Sequence, residues 1–152
     1  MDKMAKVIAR TLCRLHGTIG DYKKYYQRSE KLLRYPKMGK KLLSNCFGTT
    51  RWLTLGYDSE WPKYEEPWVI EKWFLDNYTL CDEERGCLVA FINQNIDFSD
   101  TYLFEHTGVY IPGSSQRIML HQPDFGKFFE LTTIDKYLKK NKGLEAEFYC
   151  PI

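Results

Sequence analysis

A histidine close to a hydroxyl is a pair that can move protons on and off a phosphate ester, and Leu15-His16-Gly17-Thr18-Ile19 places one two positions from the other. Combined general acid and base work on such an ester needs a second proton-transfer unit facing the first. His106 is followed at once by Thr107, which is a different spacing, and Leu120-His121-Gln122-Pro123 carries proline where the hydroxyl belongs. A phosphodiesterase or nuclease built from this chain would rest on His16 and Thr18, with His106 or His121 as partner. A histidine at the end of a helix is also simply stabilised by the helix dipole. Other nucleophile arrangements are missing: there is no G-x-S-x-G elbow, and no glycine array forms a phosphate loop. Cys81 and Cys87 with His106 and His121 lack the C-x2-C and H-x3-H spacings of zinc sites, so neither a metal nor a cofactor is expected.

Binding chemistry is better represented. Residues 1 to 45 hold twelve Lys and Arg against three Asp and Glu, a net of +9, while residues 58 to 105 hold the reverse, a net of −9. Either each half meets a partner of opposite charge or the halves neutralise one another. On the basic side, Lys23, Lys24, Arg28, Lys31, Arg34, Lys40 and Lys41, interleaved with Tyr25 and Tyr26, suit phosphate contact and base stacking, as in a nucleic-acid-binding accessory protein. On the acidic side, Asp58, Glu60, Glu65, Glu66, Glu71, Asp82, Glu83 and Glu84 surround Trp61, Tyr64 and Trp68. Tryptophan and tyrosine anchor interfaces, and a ring of carboxylates steers a basic partner towards them.

The elements that must position these residues follow from periodicity. Met4, Val7, Ile8, Leu12 and Leu15 recur at helical spacing from Lys3 to His16, and Gly17 and Gly20 end that helix. Asp21 can cap a second helix that runs to Pro36, with Tyr22, Tyr25 or Tyr26, Leu32 and Leu33 towards the core. In RWLTLGY, Arg51 to Tyr57, alternating apolar residues predict the first strand. Pro67 opens a third helix to about Asn77, with Ile70, Trp73 and Phe74 inward and Trp61 and Trp68 freer. CLVAFIN reads as a central strand covered on both faces, TYLFEH and VYI as a hairpin turning at His106-Thr107-Gly108, and QRIMLH as the next strand. Thr132 or Thr133 caps a late helix, TIDKYLKKN, before a terminal strand, EAEFYC. The sum is one α+β domain over 1-152, a basic helical part over 1-45 and a mixed α/β part over 46-152, with an antiparallel meander of four or five strands and a late C-terminal helix. No apolar run reaches the ~20 residues of a membrane helix. Five cysteines without paired spacing fit a reduced, cytoplasmic protein, and no secretion signal is read at the N-terminus.

The order RWLTLGY, WPKYEEPWVIEKW, CLVAFI, YLFEHTGVYI and then PDFGKFF to IDKYL, over roughly residues 50 to 140, resembles immunity proteins of bacterial contact-dependent growth inhibition systems. The LHGTI string, more locally, is similar to the signature of two-histidine phosphoesterases. The first resemblance implies a non-enzymatic cytoplasmic protein that binds one toxin domain tightly and covers its active site. Its contact residues would be the acids and aromatics of the 58 to 84 region.

Overall fold

The computed structural model describes residues 3–16, 21–34, 43–93, 103–113, 115–125, 127 and 129–152, without the side chains of residues 14–16. Helix α1 spans Lys3–His16 and buries Ala5, Ile8, Ala9 and Leu12, one stripe three and four residues apart. Helix α2, Tyr22–Arg34, buries Tyr25, Ser29 and Leu32. The Ser29 hydroxyl donates back to the Tyr25 carbonyl at 2.7 Å, so this polar residue enters the core already satisfied.

The expected strand at RWLTLGY is a helix instead. Helix α3, Cys46–Leu53, starts at Asn45, whose side chain accepts from the Gly48 N–H, and buries Cys46, Phe47, Trp52 and Leu53. Strand propensity in Trp52, Leu53 and Thr54 gives way because the helix places Trp52 and Leu53 in the same core as Phe47. Leu55, just past the helix, has a φ of 64°, which reverses the chain direction. The extended 61–66 segment then lies across the start of α3: Asn45 donates to the Glu65 carbonyl at 2.7 Å and accepts from the Glu65 N–H at 3.1 Å. Only glycine fits at position 48, because a Cβ there would collide with the Lys63 carbonyl.

Helix α4 is Pro67–Asn77 with proline in its first turn, and Ile70 and Phe74 are buried. Trp73, expected in the core, is half-buried and packs edge-on against Phe74 and Tyr78.

Six strands follow: β1 Tyr78–Leu80, β2 Leu88–Asn93, β3 Phe104–Tyr110, β4 Ile118–His121, β5 Glu130–Thr133 and β6 Leu144–Pro151, with helix α5, Ile134–Lys140, between the last two. All pairings are antiparallel, in the order β1-β6-β2-β3-β4-β5. The fold class is therefore α+β. Only β2 to β5 form a meander, and the sheet has six strands rather than four or five, since β1 and β5 are too short to carry a pattern of their own. The hairpin expected at His106-Thr107-Gly108 is one continuous strand, β3. Thr133 caps α5 by accepting from the Lys136 N–H.

Both faces of the sheet are covered. Leu88, Ala90, Val109, Leu120 and Tyr149 face Ile8, Leu12, Trp52, Ile70 and Phe74 of the four earlier helices. Val89, Phe91, Tyr110 and Met119 face Ile134, Tyr137 and Leu138 of α5. No helix among the described residues is long and apolar enough to cross a membrane.

Candidate functional site

The two charged halves meet one another, partly buried cations against exposed acids. The Arg28 guanidinium lies over the Trp52 ring at 4.9 Å, donates to the Trp52 carbonyl and to the Tyr57 carbonyl at 3.0 Å, and pairs with Asp58 at 3.4 Å. One turn on, Lys31 sits 4.0 Å above the Trp61 ring, donates to the Glu60 carbonyl and faces the Glu60 carboxylate at 3.9 Å. Burial lowers the pKa of both cations, and the acids opposite them work against that shift. Arg34 pairs with Glu30 at 3.7 Å, and Lys23 and Lys24 are exposed. Lys40, Lys41, Thr18 and the side chain of His16 lie outside the described residues.

The acids are occupied in the same way. Arg51 bonds both Glu65 oxygens at 3.0 Å from a single nitrogen and lies 5.6 Å from the Trp73 ring. Glu71 accepts the Leu103 N–H at 2.9 Å, Asp82 faces Arg85 at 3.5 Å, and Glu83 accepts from Arg117 at 2.6 Å. Glu66 is the residue before α4, and its side chain makes no cap bond. Of the carboxylates expected to meet a partner, Glu66 and Glu84 have neither an ion pair nor a hydrogen bond to their carboxylates among the described residues.

Three aromatic side chains remain open. Tyr64 is 51% exposed, Trp68 54% and Phe125 54%, and Phe125 meets Tyr64 edge-on at 5.9 Å. Trp61, by contrast, is half-buried beneath Lys31. Phe125 was not among the expected contact residues. Its only signal was the aromatic run of PDFGKFF, and nothing local in the sequence ties that loop to Tyr64. The mount is firm, because Glu65, beside Tyr64, is held by Arg51 through its carboxylate and by Asn45 through its backbone.

On the other face of the sheet, His106 and His121 come together. His106 and His121 share a hydrogen bond of 2.7 Å, and His121 Nε2 lies 3.2 Å from Glu130 Oε1. A carboxylate only accepts, so the proton between His121 and Glu130 is on Nε2; His121 Nδ1 then accepts from His106 Nε2–H. Tyr137 stacks on His106 at 4.7 Å. Burial pushes His106 down to about 3, and burial also lowers His121, with Glu130 acting in the opposite direction. Both rings are thus neutral near pH 7. They are arranged end to end rather than on either side of a substrate, and only Glu130, at the end of the row, is substantially exposed. Among the described residues there is no group of three or more His, Cys, Asp or Glu that could hold a metal ion.

No protein-family model, curated protein or solved structure matches the chain.

Proposed function

We propose that this chain is a non-enzymatic binding protein, an immunity-type inhibitor that neutralises a bacterial toxin domain by covering its active site in the cytoplasm. The observation that carries the reading is three large exposed aromatic side chains: Tyr64, beside the Glu65 that Arg51 and Asn45 clamp, Phe125 packed edge-on against it, and Trp68 in the first turn of α4. Exposed aromatics on a rigid mount lose little entropy on binding and are the residue types that dominate interface energetics. Because most nearby acids hold the chain's own cations, the contact surface is smaller and less charged than the 58 to 84 acid run. Glu66 and Glu84 are the carboxylates left to speed encounter with a basic partner.

The test is co-expression with the toxin domain encoded beside this chain, read as cell survival and as co-purification of the two proteins. Survival without co-purification, or death despite expression, sinks the proposal. Within it, Trp68→Ala is expected to weaken the complex by roughly 30-fold or more, in line with about 2 kcal/mol for an interface anchor, at unchanged thermal midpoint. Full affinity in Trp68→Ala combined with Tyr64→Ala places the interface elsewhere.

A further inference from the structure

His121 forms the floor of a cavity of about 180 Å³ between β5 and α5. Its charges are sorted by wall. Glu130, from β5, supplies a carboxylate, and Lys136 and Lys140, one turn apart on α5, supply two ammonium groups; Thr132 and Tyr137 complete a polar lining. Among the described residues neither lysine has an ion-pair partner. Glu130 uses one oxygen on His121 and leaves the other open, with 55% of its side chain exposed. Since the His106–His121 row behind it is neutral, nothing on the floor cancels the Glu130 charge.

A simple anion in this cavity would lie against Glu130, and a simple cation against the two lysines; each leaves one wall repelled. A molecule with both charges satisfies both walls. At about 180 Å³ the cavity has room for a small molecule that reaches both walls at once.

We propose that this cavity binds a small zwitterion of the α-amino-acid class, its ammonium on Glu130 and its carboxylate between Lys136 and Lys140. His121 reports on the site, because its Nε2–H is shared with the carboxylate that takes the ammonium. The site lies on the sheet face away from the one carrying helices α1 to α4, and the inference does not rest on the toxin-inhibitor reading.

Nuclear magnetic resonance of the His121 imidazole in the full chain, titrated with each of the twenty free amino acids, tests it. At least one is expected to shift the His121 signals saturably. The N-acetyl and the carboxamide forms of that amino acid should each bind at least tenfold more weakly, as should the free form to Glu130→Gln and to Lys136→Gln with Lys140→Gln. The lysine double variant changes only exposed side chains, so its fold is expected to survive and to keep the negative result meaningful. Absence of a saturable shift with all twenty overturns the proposal. So does equal binding of the N-acetyl form, or binding of inorganic phosphate that tightens in Glu130→Gln, which would mark a plain anion site.

Discussion

The two faces of the sheet treat polar residues in opposite ways. On the helical face three cations are matched to acids, Arg28 to Asp58, Lys31 to Glu60 and Arg51 to Glu65, and the aromatic Tyr64 and Trp68 stand open. On the α5 face two titratable rings are buried without charge, and the unmatched charges stand at the rim of a cavity. A sequence split into +9 and −9 halves therefore does not make a molecule split the same way; part of that asymmetry is neutralised where α2 meets the 57–60 turn.

The contrast can be broken hardest on the helical face. Gly48→Ala drives a Cβ into the Lys63 carbonyl, where backbone must move, and is expected to cost about 3 kcal/mol or more in urea unfolding. Replacing Arg51 by Met leaves Glu65 half-buried and alone, for an expected loss of about 1–2 kcal/mol. The double variant with Glu65→Gln should recover part of it, which a double-mutant cycle measures. Reversing Glu65 would thus damage the fold, whereas Glu66→Lys with Glu84→Lys should slow association with a basic partner at little cost in stability.

The α5 face responds to acid instead. His106 has a folded pKa of about 3 against an unfolded value near 6.5, so between those pH values the unfolded chain holds a proton that the folded chain refuses. Stability is fully present above about pH 6.5 and falls as pH drops, by up to ~1.4 kcal/mol per unit for one such group, or about 2 kcal/mol by pH 5. His121 shifts in the same direction and adds to the loss. Urea midpoints at pH 7.5, 6.5 and 5 check this, and His106→Gln should flatten the slope. The smallest effect expected is that of Trp68→Ala on folding, within about 0.5 kcal/mol, since the side chain is more than half exposed.

Legibility in the sequence followed how local the cause was. Pro67 announced α4, the Thr132-Thr133 pair announced α5, with Thr133 the cap, and the continuous apolar run of CLVAFIN announced a strand with two covered faces, because each signal sits in or beside the element it governs. RWLTLGY misled because its helix depends on Asn45 before it and on a segment nearly twenty residues later crossing Gly48. The acids and indoles of the candidate site were visible as residue types, but the cations of Asp58 and Glu60 lie some thirty positions earlier and that of Glu83 some thirty later, so the pairing is tertiary. His106 and His121 stand in the sequence as candidate partners of His16 or of a metal grouping, not of one another. Placing a turn at His106-Thr107-Gly108 hid their meeting, whereas the register of β3 with β4, Val109 opposite Leu120, sets His121 across from Gly108 and within reach of His106.

Strand β6 pairs with β1 on one side and β2 on the other, so it is the seam of the sheet although it comes last of the six in chain order. A ribosome adding about 5–20 residues per second needs several seconds to travel from the end of β2 to the end of β6. Through that interval the paired edge of β2 stays open, and Val89 and Phe91 wait uncovered beside it. A nascent chain with an open apolar edge is a substrate for chaperones and for its neighbours on the same messenger. The placement of one strand thus leaves the sheet unable to close until that strand has been made.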